Sequence, residues 1–484
     1  MTAPSKNVLV IMSDEHESRT LGCAGHPLVQ TPHLDTLATR GVRFTNAYTP
    51  SPICVPARAA FATGRSVHEL HHWDNAMPYT GEVRGWGHVL QDHGVRVESI
   101  GKLHYRNAED PAGFDAEHVP MHVVGGHGMV WASIRDPFLI RDRKKRMLGD
   151  YIGPGESSYT SYDRDITART VEWLKEAGTR RDQPFVLYVG LVAPHFPLVA
   201  PDEFYRLYPP HRIPEPKLRP ANGYVRHPWV EERASFHDDD SDFHSPEERL
   251  QALAAYYGLC SFLDDNVGQI LRALEQSGLA AETTVIYTSD HGDNLGCRGM
   301  WGKATLYQES TGIPLLISGP DIEPGIKRTP VSLLDLYPTI LAAAGIPPEP
   351  HLEDRTGQDL RVLAQNPEQH ERTILSEYHA AGSNSGAFML RQGRWKYHYY
   401  VGHPPELFDL EADPDELQDL ASDPAVADIL AQLEASLRRI CDPEAIDRQA
   451  KADQRAMIDR LGGPAIAATL GARGATPPPG AEEP

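Results

Sequence analysis

Five short apolar runs alternate with helix-like stretches along the chain: Val8–Met12, Val95–Ile100, Phe185–Leu191, Thr283–Ser289 and Pro314–Ser318. GWGHVLQDHG precedes the second run, TARTVEWLKEAG precedes the third, and SLLDLYPTILAAAG follows the fifth. Runs of about five apolar residues, separated by helices, predict strands buried on both faces. The expected fold is α/β, a mixed but mostly parallel sheet with helices on both faces.

The helical period is clearest ahead of the fourth run. Leu250, Leu253, Tyr257, Cys260, Leu263, Val267, Ile270, Leu271 and Leu274 recur at spacings of mostly three and four, which predicts one long helix. Gly278 stands where a helix C-terminal glycine belongs. Cys260 falls on the apolar stripe and reads as packed core.

From His211 to Glu248 the pattern breaks into proline, charge and aromatics, which predicts a long surface excursion able to cover a substrate. A second shift follows Ile346. Beyond it, TILSEYH, AFMLRQGRWKYHYY and ELFDLEADPDELQDLA predict a few antiparallel strands, and ILAQLEASLRRI predicts a closing helix. The expected division is a catalytic domain over 1–369 and a smaller C-terminal α+β domain over 370–461. Residues 462–484 are rich in Gly, Ala and Pro; they predict a disordered tail or an arm that orders against another subunit of a homo-oligomer.

Composition narrows the partners. The chain has 484 residues and a formal net charge of -21. That charge argues against nucleic acid and against an anionic membrane surface. It leaves room for an anionic substrate in one locally positive pocket. The five cysteines are scattered, with no Cys-x-x-Cys pair, which suits free thiols in a reducing compartment. No apolar run approaches the roughly eighteen residues of a membrane span. A cytoplasmic location is expected.

In an open parallel sheet, ligands bind beyond the C-terminal ends of the strands. Here the strand ends carry chemistry. Ser13-Asp14-Glu15-His16 follows the first run, Gly101-Lys102-Leu103-His104 the second, Ala193-Pro194-His195 the third and Asp290-His291-Gly292-Asp293 the fourth. One such group is ordinary; four at the same predicted edge point to a shared site. Asp14, Glu15 and Asp290 offer hard oxygen ligands and His291 a nitrogen, which suits a divalent ion of the Ca²⁺, Mg²⁺ or Mn²⁺ kind. Lys102, His104, His195 and Lys303 are candidate cations and proton carriers around an anion. Cys54, in SPICVPARAAFATGR, reads either as a small buried residue opening a helix or as a reactive centre. The histidine-rich HELHH (His68–His72) reads as a loop at the pocket rim, and Trp131 as packing.

CVPAR, Cys54 to Arg58, fits a Cys-x-Pro-x-Arg signature, and through it the chain resembles the sulfatases of the alkaline phosphatase superfamily. Ala62–Arg65 (ATGR), Asp14-Glu15, GKLH at Gly101–His104, APHFP at Ala193–Pro197 and SDHGDNLG at Ser289–Gly296 stand in the family's order. Lys303 ahead of Glu309 and LFDLEADPDELQDLA continue it. The resemblance implies an alkaline-phosphatase-like fold. It implies that a maturation enzyme oxidises Cys54 to formylglycine, whose hydrate attacks the substrate and forms a covalent sulfo-enzyme. Asp14, Glu15, Asp290 and His291, with the converted Cys54, would hold one Ca²⁺ or Mn²⁺. Arg58 would fix the converted residue, and Lys102 and Lys303 would bind sulfate oxygens. His104 would take a proton from the second hydroxyl, and His195 would contact the substrate and protonate the leaving oxygen.

Ala57, the Asp290-His291 pair and Asp74-Asn75 resemble more narrowly the choline sulfatases and phosphonate monoester hydrolases, which places Asn75 against the sulfate. The subgroup more often carries Gln at the position of Glu15. Lys102 and His104 favour a sulfatase, because the phosphonate hydrolases typically carry Tyr and Thr there. The expected activity is hydrolysis of organic sulfate monoesters of the aryl sulfate or choline sulfate type. A phosphonate monoester or phosphodiester hydrolase on the same site is the alternative.

Overall fold

The computed structural model describes residues 7–135, 146–180, 183–236, 239–347, 355–471 and 474–481. The residues ahead of the first strand, most of the proline-rich stretch after Ile346 and parts of the tail lie outside the described residues.

Strand β1 (Asn7–Asp14) carries the first apolar run and extends it through Ser13 to Asp14. Helix α1 (Pro32–Thr39), strand β2 (Val42–Phe44) and helices α2 (Cys54–Thr63), α3 (Val67–Leu70) and α4 (Trp86–Asp92) follow. Next come β3 (Arg96–Lys102), β4 (Ala116–Met121), α5 (Ser158–Ala177) and β5 (Phe185–Pro194). Then α6 (Pro228–Phe236), α7 (Pro246–Gln276), β6 (Thr283–Ser289), β7 (Leu315–Ser318), β8 (Gly325–Lys327) and α8 (Leu336–Ala343) complete the main body.

The eight strands form one sheet in the order β8-β2-β7-β6-β1-β5-β3-β4. β6, β1, β5, β3 and β4 run parallel. β7 is reversed against both β6 and β2, and β8 again pairs parallel with β2. The strands that end in candidate chemistry are therefore neighbours, in the order β6-β1-β5-β3, with their C-terminal ends on one edge. Gly190 on β5 permits the close approach there, since a Cβ would sit 2.1 Å from the Lys102 carbonyl oxygen.

The apolar runs are continuous because the sheet is covered twice. Val8, Val10 and Met12 face α2, α4 and α8, together with Ala57, Phe61, Leu90 and Ile340. Leu9 and Ile11 face α5 and α7, with Ile166, Leu174, Leu263 and Val267. Each such side chain contributes about 1.5–3 kcal/mol relative to exposure. Helix α7 begins at the predicted stripe, with the Ser245 hydroxyl accepting the Glu248 N–H as its N-cap. Gly278 follows its end with φ +71°.

Strands β9 (Ile374–Tyr378), β10 (Ala387–Gln392), β11 (Trp395–Tyr400) and β12 (Glu406–Asp409) form an antiparallel meander, the C-terminal sheet. One face packs beneath helix α9 (Ala427–Ile440), where Phe388, Leu390 and Leu407 meet Leu433 and Leu437. The other face meets the main body through Met389, Tyr400 and Phe408, against Trp229, Val230 and Tyr307.

Two expectations change. The stretch from His211 to Glu248 is not only a surface excursion. Its centre folds as α6, and Trp229 and Val230 are fully buried against the C-terminal sheet. Trp229 Nε1 donates to the Ser385 carbonyl at 3.0 Å. The single closing helix is joined by a second, α10 (Pro443–Arg460). Its buried positions, Pro443, Asp447, Ala450, Gln454, Met457 and Ile458, keep helical spacing but include polar residues, so no apolar stripe announces them.

The junction between α3 and the C-terminal sheet holds a buried ionic bridge. His68 Nδ1 lies 2.8 Å from Glu377 Oε1, and His379 Nε2 lies 3.0 Å from the other oxygen. Burial works to lower the His68 pKa, but Glu377 more than offsets it and pushes His68 up to about 9. A raised histidine stabilises fully below its unfolded pKa near 6.5 and loses that contribution as pH rises through about 9. Unfolding free energy of the native protein should fall by about 3 kcal/mol over that window relative to His68→Gln. Parallel pH profiles for the two proteins would discard the bridge as a stabilising pair.

Candidate active site

The site is built at the shared strand edge. β1 ends at Asp14, and the chain turns through Glu15, whose φ is +68°. β6 ends at Ser289 and hands on Asp290 and His291. Asp290 Oδ1 accepts N–H bonds from Glu15 at 3.2 Å and His291 at 3.0 Å, so one carboxylate ties the two strand ends together. β3 delivers Lys102, and His104 follows at φ +59°. Asp163 on α5 accepts the Val192 and Ala193 N–H groups at 2.7 and 2.8 Å, which pins the end of β5 ahead of His195.

Helix α2 aims its first residue into this group. Cys54 opens the helix, Pro56 lies in its first turn and Gly64 closes it at φ +68°. All ten of its residues are buried. Asn75 Oδ1 accepts the Val55 N–H at 3.1 Å and so anchors the helix start.

Cys54 Sγ lies 3.2 Å from His291 Nε2, 3.2 Å from Lys303 Nζ and 3.6 Å from Asp14 Oδ1. Ligand atoms of Asp14, Cys54, Asp290 and His291 all fall within 4.8 Å of one another. His291 Nδ1 faces the Gly292 carbonyl at 2.9 Å. An N–H donated there leaves Nε2 with its lone pair toward the cluster, the tautomer a metal ligand needs. Two carboxylates and an imidazole with this second contact fit a divalent ion. Glu15 falls in a neighbouring group with Asp14 and His195. Its Oε2 lies 3.2 Å from Lys303 Nζ and 3.3 Å from His195 Nε2, and its buried Oε1 has no hydrogen-bond partner.

Cations surround the cluster. Lys102 Nζ donates to Asp14 Oδ2. Arg58, 1% exposed, donates Nε to Asp290 Oδ2 at 2.8 Å and Nη1 to the Lys102 carbonyl and the Tyr188 hydroxyl. Burial works to raise the Asp14 carboxyl, yet Lys102, His195, Lys303 and Arg58 together hold it well below the usual carboxylate range. Burial pushes Glu15 well above that range, with Lys303 opposing. Burial, with Asp14 adding to it, pushes the Cys54 thiol up to about 11. Burial and Lys303 push the His195 imidazole well below its ordinary value. The arrangement can hold a tetrahedral anion between cations, with neutral imidazoles at its margin.

A family model described as Sulfatase matches residues 6–346. The chain belongs to the sulfatase family. It is a sulfuric ester hydrolase acting on sulfate esters. A second model, N-sulphoglucosamine sulphohydrolase, C-terminal, matches residues 296–442 of this sulfatase. The chain is 32% identical over 426 residues to the choline-sulfatase of Rhizobium meliloti (strain 1021), spanning 86% of this chain and 82% of that protein. It is 33% identical over 436 residues to arylsulfatase K of Bos taurus, spanning 85% and 77%. In fold it matches the phosphonate monoester hydrolase SpPMH from Silicibacter pomeroyi with a TM-score of 0.71 at 24% identity, over 90% of this chain and 94% of that one.

The sulfatase fold thus gathers Asp14, Glu15, Cys54, Arg58, Lys102, His195, Asp290, His291 and Lys303 through direct contacts. His104 lies beside them, its Nε2 turned to Thr476 Oγ1 at 2.8 Å. Asn75 is at the helix start, with its oxygen committed to Val55. The histidines of HELHH take separate partners, and the stretch is not all loop: His68 lies in α3 and pairs with Glu377, His71 pairs with Asp453, and His72 faces the Met77 carbonyl. Trp131 stacks on Phe236 at 5.8 Å, as packing. Sequence reasoning missed Tyr188, Asp163, Tyr159 and Thr476. Asp163 sits in a polar helical stretch where nothing marks one acid from the next. Among the described residues, no helix is long and apolar enough to cross a membrane.

Proposed function

We propose that this sulfatase hydrolyses small organic sulfate monoesters, choline O-sulfate or aryl sulfates, through Cys54 converted to formylglycine. One observation carries the reading: the Cys54 sulfur lies among the candidate metal ligands and within 3.2 Å of a lysine ammonium. Asp14, Asp290, His291 and the converted side chain would hold one Ca²⁺ or Mn²⁺, with Glu15 alongside. Sγ stands where an oxygen of the hydrated aldehyde would lie. Five unpaired cysteines fit the cytoplasm as its compartment.

A thiol is a poor choice for this ester, because a thiosulfate would need a second nucleophile to clear it. When bound, the ion supplies positive charge and lowers the pKa of a hydroxyl beside it. The hydrated aldehyde offers two hydroxyls, one to attack sulfur and one to drive release of sulfate. The chain's own groups do the rest. Lys102 and Lys303 hold the sulfate oxygens and meet the charge of the transition state. Arg58 keeps Asp14 and Asp290 oriented. His195 keeps an N–H at Nδ1 toward the Phe196 carbonyl at 2.6 Å; only as the imidazolium, with a second proton on Nε2 beside Glu15 Oε2 at 3.3 Å, would it deliver a proton to the leaving oxygen. His104 accepts a proton from the second hydroxyl.

The test compares kcat/KM for choline O-sulfate, an aryl sulfate and an aryl phosphonate monoester. At least one sulfate should exceed the phosphonate by about tenfold or more, because two lysines and His104 serve a leaving sulfate. A phosphonate preference would replace this reading with the phosphonate or phosphodiester hydrolase.

A further inference from the structure

We propose that Thr476 is a positioning residue of the active site: its hydroxyl engages His104 Nε2 and leaves Nδ1 as the nitrogen that exchanges a proton with the converted Cys54. The proposal rests on the reading of His104 as the base.

Thr476 belongs to the segment that composition marks as a tail, yet it is only 9% exposed. Its Oγ1 lies 2.8 Å from His104 Nε2, and its carbonyl oxygen accepts the Tyr159 hydroxyl at 2.6 Å. The Tyr159 ring stands edge-on to the His195 ring, centroids 5.8 Å apart. One residue therefore holds His104 directly and, through Tyr159, the wall beside His195. Ala475 packs against the core cluster that contains Tyr159. Upstream, Gly471 crosses the backbone at Gly128 so closely that a Cβ would lie 1.5 Å from the Gly128 carbonyl oxygen. Its φ of +75° also favours glycine. The segment is fitted to the main body on either side of residues 472 and 473.

His104 Nδ1 is buried and has no hydrogen-bond partner. An unsatisfied buried nitrogen costs free energy, and active sites are where such groups persist. A neutral imidazole carries one proton. To act as base at Nδ1, His104 must carry it on Nε2, and the Thr476 oxygen is the acceptor that holds it there. In the step itself the hydroxyl proton of the converted side chain passes to Nδ1. The freed electron pair forms the C=O bond, and the C–O bond to sulfate breaks. Thr476 keeps the acceptor for the Nε2–H throughout.

Thr476→Val keeps the shape and removes the hydroxyl; Thr476→Ser keeps the hydroxyl. The valine variant should lower kcat about tenfold with KM within about twofold, and the serine variant should retain most activity. Wild-type kcat in the valine variant, or equal losses in both, would overturn the proposal. A second readout needs no turnover. In protein made without the maturation enzyme, Cys54 alkylation by iodoacetamide is followed by peptide mass spectrometry. A chain ending at Leu470 should label about tenfold faster than the full chain, because the pocket wall is gone. Equal rates overturn the placement of the segment. A full-length enzyme inert toward every sulfate ester would sink the functional reading instead, and the labelling would still decide the segment.

Discussion

Cys54→Ala should abolish sulfate ester turnover, by roughly 10⁴-fold or more, the scale of removing a nucleophile. In active enzyme, the peptide carrying Cys54 should be recovered about 18 Da lighter, the difference between a cysteine and its aldehyde. The environment also disfavours the thiol itself as the reagent. Burial and the Asp14 charge hold its pKa near 11, so at neutral pH it is protonated and weakly nucleophilic. A cysteine meant to attack sits where its thiolate is favoured; here burial and two carboxylates outweigh Lys303 and Lys102. Active enzyme in which Cys54 is wholly unmodified would end the formylglycine mechanism.

Arg58→Ala should cost about 3–5 kcal/mol of stability as well as activity, because it leaves two buried carboxylates without their fork. Arg58 bonds Asp290 at 2.8 Å, lies 3.6 Å from Asp14, and ties the Lys102 carbonyl and Tyr188 to the same guanidinium. Burial works against its charge, yet the Asp290 carboxylate, with Asp14, holds it well above its ordinary pKa. Arg58→Lys keeps one charge but loses the fork and should fall between the two. Urea unfolding of the three proteins measures this. A loss under about 1 kcal/mol for the alanine variant would show that the ion pairs do not hold the strand ends.

The sheet was legible because it is covered on both faces. VLVIM and FVLYVGL have no polar position to interrupt them, and β6 begins and ends where its apolar run does. The site was legible because four neighbouring parallel strands put their ends on one edge, so a rule about strand ends became a rule about a pocket. What stayed hidden is held by polar contacts. Helix α10 buries Gln454, which donates to Asp74 at 2.7 Å and to the His379 carbonyl at 2.9 Å. No hydrophobic count finds such a face. Thr476 sits in a Gly-Ala-Pro stretch that reads as unstructured, and its place depends on a partner 372 positions away. Trp229 in α6 could have been suspected, since a tryptophan beside a valine in a proline-rich stretch needs somewhere to go.

The burial of helix α2 also sets a clock. An enzyme that reads Cys54, Pro56 and Arg58 must take that segment into its own cleft, and in the folded sulfatase all three side chains are covered. On the formylglycine reading, conversion and folding would therefore compete for one unfolded stretch of chain. A molecule that folds first keeps its thiol for as long as it stays folded. The share of active molecules would then be set when the chain folds, and only unfolding would reopen it.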